Sequence, residues 1–287
     1  SPYSSPPCGR VSRVLHMIDQ SMSGRLLLLL LSSPGVLGAC YTYEPDTNGH
    51  VIVPDGVVEL AANAFNGCTT LVSITLPDSL TSIGMLCFFG CTSLVSITIP
   101  DSVTSFGGQV FYLCTSLVNV TLPAGLASLD DRDFYDCTSL ASITFPDGLA
   151  LLGDRVFNGC TSLASITFPD SLASLGGQTF SGCTSLVSIT FPDGLASLGD
   201  RPFYGCTSLV SITFPDGLAS IGNGVFWDCT SLGLVYVPTG CSVESNSFWG
   251  TAAACSSSGG CYSSGGWAYV PAPPSPPAPP ALPMPSP

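Results

Sequence analysis

Residues 157–179 read Phe-Asn-Gly-Cys-Thr-Ser-Leu-Ala-Ser-Ile-Thr-Phe-Pro-Asp-Ser-Leu-Ala-Ser-Leu-Gly-Gly-Gln-Thr, and this unit of 23 residues starts again at Phe180. Three residue types return at that period along most of the chain. They are Phe65, Phe88, Phe111, Phe134, Phe157, Phe180, Phe203 and Phe226, continued by Trp249; Cys68, Cys91, Cys114, Cys137, Cys160, Cys183, Cys206 and Cys229; and Pro54, Pro77, Pro100, Pro123, Pro146, Pro169, Pro192, Pro215 and Pro238. Such a period predicts a solenoid, in which each unit packs only on its neighbours.

Each unit contains one clear strand signal. The stretch 163–168 alternates apolar and polar residues and is rich in β-branched side chains, which predicts a strand that ends at Pro169. Leu172 and Leu175 are expected to point back to the core, and residues 176–182 to return the chain through a short helical or 3₁₀ turn. We therefore predict a leucine-rich-repeat-like solenoid of about nine units with a parallel β-sheet.

The charge excludes one class of partner. The chain has no lysine and a net charge of −13, and its only arginines after Cys40 are Arg132, Arg155 and Arg201. Nucleic acids require a basic surface, so we expect no nucleic-acid partner.

The region before the repeats predicts secretion. Residues 1–21 remain unassigned and could lie upstream of the true start. In 22–39 a short basic segment is followed by six leucines and small residues, which indicates a signal peptide. The apolar run is too short for a membrane span, for which about 18 residues are needed. An alternative is a lipid attachment signal that ends at Cys40.

The remaining boundaries follow the repeat. Residues 40–250 are predicted to form the solenoid with its caps, and residues 251–270, rich in cysteine, glycine and serine, a cap and linker. Residues 271–287 contain ten prolines, which predicts an extended polyproline II spacer.

The cysteines divide into two sets. Fourteen cysteines in a secreted chain favour disulfides. However, equivalent cysteines on adjacent rungs keep their Cβ atoms about 4.8 Å apart, when a disulfide needs about 3.8 Å. We predict eight buried free thiols in the ladder and a disulfide cap drawn from Cys241, Cys255 and Cys261. No Cys-x-x-Cys pair or nearby histidine supports zinc, and no metal site is predicted.

The repeat resembles a known family. The pattern A-F-x-G-C-T-S-L-x-x-I-x-x-P-x-x-L-x-x-I-G is carried by residues 64–84 and is similar to the BspA-type (treponemal) class of leucine-rich repeats. The resemblance covers roughly residues 51–250. It implies an extracellular or cell-surface solenoid, used for adhesion and for binding host or matrix molecules, and it implies no catalytic activity.

The outward face of the predicted sheet is the candidate binding surface. Because side chains alternate along a strand, one serine and one threonine point away from the core in six of the units, and Asn119 takes the place of the serine beside Thr121 in another. The serines and threonines are Ser73, Thr75, Ser96, Thr98, Thr121, Ser142, Thr144, Ser165, Thr167, Ser188, Thr190, Ser211 and Thr213. Asn119-Val-Thr121 is a glycosylation sequon, and a glycan there would obstruct the face.

An aspartate follows most of the repeat prolines and forms a second ladder. Its members are Asp55, Asp78, Asp101, Asp147, Asp170, Asp193 and Asp216. They are expected to cap the turn by accepting backbone N–H bonds. A calcium rim formed by Asp147, Asp170, Asp193 and Asp216 is the alternative.

Two functions remain open. One is an extracellular recognition or adhesion scaffold, a monomer that binds a protein or glycan through the sheet face. The other is a structural or environmental-surface protein, a wall component or an ice binder, that uses the hydroxyl lattice. We expect neither an enzyme nor a cofactor, because both histidines lie outside the regular units and each regularly spaced carboxylate belongs to the repeat.

Overall fold

The computed structural model describes residues 43–238, 241–244, 246–251, 253–255, 261–263 and 266–268. The unassigned leader, the predicted signal peptide, the lipidation alternative at Cys40 and the proline-rich segment lie outside these residues.

The main sheet is parallel and advances by one repeat at each rung. Its strands are His50–Ile52, Ser73–Thr75, Ser96–Thr98, Asn119–Thr121, Ser165–Thr167, Ser188–Thr190, Ser211–Thr213 and Leu234–Tyr236. Thr144 continues the sheet by single bridges to Thr121 and Thr167, so eight strands and one bridge make nine rungs. The predicted parallel-sheet solenoid is confirmed.

A second row of very short parallel strands was not predicted. Its members are Glu59–Leu60, Ser82–Ile83, Ser105–Phe106, Ser128–Leu129, Leu151–Leu152, Ser174–Leu175, Ser197–Leu198, Ser220–Ile221 and Ser242–Val243. Each has two residues, too few for an alternation signal, and each follows one of the repeat prolines by a few residues. The predicted inward direction of Leu172 and Leu175 is confirmed, since both are buried.

The return segment contains no helix anywhere in the described ranges, so the predicted helical or 3₁₀ turn is wrong. Asn63 and Gly67 adopt left-handed backbone conformations, with φ of 62° and 71°, on either side of Phe65. A right-handed helix cannot continue through such residues. The N–H groups of Phe65 and Gly67 instead donate to the carbonyls of Cys87 and Phe89 in the next turn, at 2.8 and 2.7 Å.

Stacked phenylalanines fill the core. The rings from Phe65 to Phe226 are fully buried, and successive centroids lie 5.1 to 5.8 Å apart. A second ladder begins at Phe145 and replaces the aliphatic residues of earlier turns. Its members Phe145, Phe168, Phe191 and Phe214 each tilt against the first ladder at 5.9 to 6.0 Å.

The last turn is one residue shorter than the others. Ser242 pairs with Ser220, 22 residues earlier, and Phe248 stacks on Phe226 at 5.1 Å. Phe248 therefore continues the core ladder, and the assignment of Trp249 to that series is wrong. Trp249 is 63% exposed.

Beyond the last turn, three strands form an antiparallel sheet: Ala253–Cys255, Cys261–Ser263 and Gly266–Ala268. None of the described residues belongs to a helix that is long and apolar enough to cross a membrane.

Candidate functional site

The serine and threonine side chains of the main sheet form one exposed surface, which we call the hydroxyl face. Its members are Ser73, Thr75, Ser96, Thr98, Thr121, Ser142, Thr144, Ser165, Thr167, Ser188, Thr190, Ser211 and Thr213. All are exposed except Ser73, which is half-buried, and the alternate residues, such as Ile166 at 7% exposure, are buried. The predicted outward direction of these side chains is confirmed.

The hydroxyls align in two columns because the strands pair in strict register. Ser165 lies opposite Ser188, and Thr167 lies opposite Thr190. At the entrance, the His50 ring contacts the hydroxyls of Ser73 and Thr75 at 2.8 and 3.3 Å.

From Ser96 to Thr213, the described part of the chain offers the hydroxyls of this face no hydrogen-bond partner. The hydrogen-bonding capacity of those hydroxyls is therefore open to water or to a ligand.

A shallow depression of about 320 Å³ lies in the middle of the hydroxyl face. It is lined by hydroxyls, by the Asp147 carboxylate and by the edges of two core phenylalanines. The lining residues include Ser142, Thr144, Asp147, Ser165, Thr167 and Phe168. The depression coincides with the rung at which pairing falls to the single Thr144 bridge and the second phenylalanine ladder begins.

An apolar strip borders the serine column. In five rungs an exposed valine, with an exposure from 37% to 51%, precedes the first outward residue of the strand, which is a serine in four of them and Asn119 in the fifth. The valines are Val72, Val95, Val118, Val187 and Val210. Ala141 and Ala164 occupy the same position beside the depression, so the strip has its smallest side chains where the face is concave.

The aspartate ladder is exposed along its full length. Asp101 alone of the seven accepts a hydrogen bond, from the backbone N–H of Ala124 in the next turn at 2.9 Å. The predicted local caps are therefore wrong, because the turns close through backbone bonds such as Leu80 N–H to the Pro77 carbonyl.

The calcium-rim alternative gains no support from side-chain placement. Among the described residues, no three carboxylate, histidine or cysteine side chains come together as a metal site. The rim aspartates Asp147, Asp170, Asp193 and Asp216 instead give the edge of the hydroxyl face a line of negative charge.

Seven ladder cysteines are free and buried: Cys91, Cys114, Cys137, Cys160, Cys183, Cys206 and Cys229. Each thiol donates to the carbonyl of a core phenylalanine, as Cys160 does to Phe134 at 3.1 Å. Cys68 is disulfide-bonded, so the prediction of eight free thiols is wrong at that position. Burial raises the pKa of Cys91 to about 12, far from that of a reactive thiol.

These thiols are expected to be unreactive until the solenoid unfolds. A thiol reagent at neutral pH should modify Cys160 and its ladder equivalents on the order of 100-fold more slowly in the native protein than in guanidinium chloride, because burial suppresses the thiolate. Mass spectrometry of the modified peptides would identify each site. Rapid labelling of Cys160 in the native protein would contradict this expectation.

The structure reduces the candidates for the predicted exit disulfide from three cysteines to two, and the disulfide itself remains a prediction. Cys241 is free and buried. Cys255 and Cys261 are directly paired across an antiparallel ladder, so their backbones are in register for a cross-strand bridge. Asn119 is exposed on the main sheet, where its glycosylation remains a prediction.

Two features were missed from the sequence. Asp133 is fully buried at a position that holds Val156 or Thr179 in other turns. In six turns the residue after the core phenylalanine is aromatic, and these residues form two clusters on the return turns: Phe89, Tyr112 and Tyr135, and Tyr204, Trp227 and Trp249. Departure from the repeat consensus at these positions was the available signal.

Comparison with known proteins places the repeat in a family. The BspA type leucine rich repeat region matches residues 40–164 and 150–254, in six copies. No curated protein matches the chain significantly.

Several solved structures are similar to this chain. A leucine rich cell surface protein from Faecalibacterium prausnitzii A2-165 is 29% identical over 68% of this chain and 59% of its own, with a TM-score of 0.46. The T. pallidum leucine rich repeat protein is 26% identical over 74% and 86%, with a TM-score of 0.48. The pneumococcal vaccine antigen PcpA is 18% identical over 70% and 62%, with a TM-score of 0.51, and shares the fold.

This chain thus spans 59% of the F. prausnitzii protein's length. The family match covers most of the present sequence, and the described turns carry its strand, proline and phenylalanine positions in the predicted places. The chain belongs to the BspA-type leucine-rich-repeat family.

Proposed function

We propose that the chain is an extracellular or cell-surface recognition scaffold that binds a protein or glycan ligand through the hydroxyl face. The supporting observation is that the hydroxyls from Ser96 to Thr213 are exposed, in register and without a partner among the described residues. A fold needs outward side chains, but it does not need a continuous polar surface whose hydrogen bonds are left to the solvent.

The chemistry of the face limits its ligand. Hydroxyls both donate and accept hydrogen bonds, which suits polyhydroxylated groups and peptide backbones. The rim aspartates and the net charge of −13 disfavour polyanions. The central depression, with Asp147 beside hydroxyls and phenylalanine side chains, has a volume of about 320 Å³, at the lower end of the range for small-ligand sites.

Secretion and the role of the C-terminal segment complete the proposal. The signal peptide predicted at 22–39 would deliver the chain outside the cell, and the proline-rich segment 271–287 would act as a wall spacer. A monomer suffices for this role, since the hydroxyl face lies within one chain.

The test places lysines on the hydroxyl face. Thr144/Thr167/Thr190→Lys is expected to weaken ligand capture by at least about tenfold, because charges beside the depression would be desolvated on binding. Capture would be measured on a glycan array and from extracellular and cell-wall extracts.

The matched control is Thr161/Thr184/Thr207→Lys, which adds the same charge at exposed positions away from the sheet face. Equal capture by both variants and the wild type would contradict a site on the hydroxyl face and move it elsewhere on the solenoid.

The register of the hydroxyl columns also favours a second candidate, a structural or environmental-surface role such as ice binding. Regular lattices match crystalline surfaces, and Ser↔Ser and Thr↔Thr pairing repeats from rung to rung. An ice binder would shape crystals with no soluble partner present and lose this activity in the lysine variant. A recognition scaffold would instead show saturable binding.

A further inference from the structure

An exposed aromatic cluster lies on the return turns at the C-terminal end of the solenoid. We call it the exit aromatic patch and define it by Tyr204, Trp227 and Trp249, with Arg201 beside them. Tyr204 is 39% exposed and Trp249 is 63% exposed. The Arg201 guanidinium lies 5.3 Å from the centroid of the Trp227 ring, a cation–π contact.

The fold does not require aromatic residues at this position. Asn66, Asn158 and Ser181 hold the equivalent place in other turns. The backbone is the same in each case: Ser181 N–H donates to the carbonyl three residues earlier at 3.1 Å, and Trp227 N–H does likewise at 3.1 Å. The large exposed rings at the exit therefore call for an explanation other than folding.

Ring geometry separates the exit aromatic patch from a similar cluster near the entrance. There Phe89, Tyr112 and Tyr135 stack almost flat, at 5.1 and 4.6 Å with interplanar angles of 15° and 4°, so each ring covers its neighbour.

At the exit, Tyr204 and Trp227 meet at 67°, and Trp227 and Trp249 at 45°, both at 6.1 Å. Rings inclined in this way leave wedge-shaped gaps between their faces.

We propose that the exit aromatic patch binds the chain's own proline-rich segment, residues 271–287, so that the segment acts as a spacer only when it is released from the patch. Polyproline II helices are recognised by surfaces lined with tyrosine and tryptophan, whose rings pack against the proline rings. Residues 273–281 read Pro-Pro-Ser-Pro-Pro-Ala-Pro-Pro-Ala. This period of three matches the three residues per turn of a polyproline II helix, in which its prolines would lie in two continuous rows.

The dimensions agree with this occupant. Two successive ring separations of 6.1 Å correspond to about four residues of a polyproline II helix, at about 3.1 Å per residue. The segment begins three residues after the last strand, which ends at Ala268, and its 17 residues would span about 50 Å as a polyproline II helix.

Tethering favours the same chain over a second copy. A linked segment has an effective concentration of about millimolar, well above that of a partner chain at micromolar protein concentration. Proline-rich ligands also lose little conformational entropy on binding, since the helix is preformed.

The test keeps the full chain and uses tryptophan fluorescence. Every variant carries Trp267→Phe, so that emission comes from Trp227 and Trp249 only. Pro273/Pro276/Pro279→Ser should red-shift the emission and increase acrylamide quenching, because the rings lose their cover.

A synthetic peptide of residues 271–287, added to this tail variant, should reverse both changes. Trp249→Ser should weaken peptide binding by at least about tenfold.

The matched control is Tyr135→Ser in the entrance stack, which should leave peptide affinity unchanged. Since Ser181 already holds the equivalent position in one turn, both serine variants are expected to fold, and thermal unfolding would verify it.

Unchanged fluorescence in the tail variant, or equal peptide affinity with and without the Trp249 ring, would overturn the proposal. A dimer by light scattering that the tail variant abolishes would overturn docking within one chain and assign the patch to a second copy.

Discussion

Phe157→Ala is expected to lower the free energy of unfolding by about 3–5 kcal/mol, the range measured for large-to-small aromatic changes in cores. The ring is fully buried between Phe134 at 5.4 Å and Phe180 at 5.5 Å, and the edge of Phe145 lies 5.9 Å away. Its removal leaves a cavity that neighbouring turns cannot fill, because the backbone bonds between turns hold their spacing.

The position of Phe157 near the middle of the array adds a second effect. Solenoid stability is a sum of unit and nearest-neighbour terms, so a weak central interface separates the array into two halves. Urea unfolding followed by circular dichroism should therefore show a broader transition as well as a lower midpoint. Asn158→Ala, at the half-buried next residue, is the control and should change stability little. A loss below about 1 kcal/mol for Phe157→Ala would mean that the ladder is repacked around the gap.

The regular part of this fold could be predicted because one 23-residue pattern fixes every rung. Leu163, Ile166 and Phe168 alternate with polar residues, and all three are buried as expected. The left-handed residues could not be predicted as readily, since Arg155 and Gln178, with φ of 57° and 55°, carry side chains that give no such signal. At these positions the stacking of one turn on the next imposes the conformation.

The hydroxyl face followed directly from alternation, whereas its depression did not. The depression lies where the buried position changes from Leu122 to Phe145 and where strand pairing is reduced to single bridges at Thr144, and the repeat pattern does not predict the loss of pairing. Trp249 was misassigned because the deletion of one residue in the last turn moves Phe248 into the core ladder. The 23-residue period alone does not reveal this deletion, because positions 248 and 249 both hold an aromatic residue that could continue the core ladder.

The turn around Asp130 departs from the repeat, and its stability is expected to depend on pH. Gly107 and Gly153 occupy the equivalent place in the adjacent turns, and each donates its N–H to the preceding turn, at 2.8 and 2.9 Å. A Cβ on Gly107 would lie 2.4 Å from the Met85 nitrogen, so this close approach requires glycine. Asp130 has a side chain, and its N–H bonds instead to the Asp133 carboxylate at 2.8 Å.

Asp133 thus compensates for the missing glycine, but its carboxyl is buried. It also accepts the N–H of Val110 at 3.1 Å. Burial raises the pKa of Asp133 well above its ordinary value, and this outweighs the effect of the neighbouring backbone N–H donors, which lower the pKa. An unfolded aspartate titrates near pH 4. The stability that Asp133 contributes is therefore fully present below about pH 4 and is lost as the pH rises through the pKa of the folded state.

The double variant Asp130→Gly/Asp133→Val restores the sequence of the other turns and removes this titration. The free energy of unfolding of the double variant minus that of the wild type should increase between pH 4 and pH 8. Only the wild type has a buried carboxyl at position 133, and keeping that group protonated or ionising it in the folded state costs more free energy as the pH rises. Asp133→Val alone should be worse than the double variant, since it leaves the Asp130 N–H without an acceptor, at about 1–3 kcal/mol, whereas glycine at position 130 can donate to the preceding turn as Gly107 and Gly153 do.

Urea unfolding of all four combinations at several pH values would measure a coupling of about 0.5–3 kcal/mol between the two sites. Additive effects, or a difference between wild type and double variant that does not change with pH, would show that the two aspartates act independently. In that event the buried carboxyl could not be explained as compensation for the lost glycine. A positive coupling would mean that the repeat tolerates the Asp130 side chain at the position of Gly107 and Gly153 only because the Asp133 carboxylate accepts the N–H that would otherwise bond to the preceding turn.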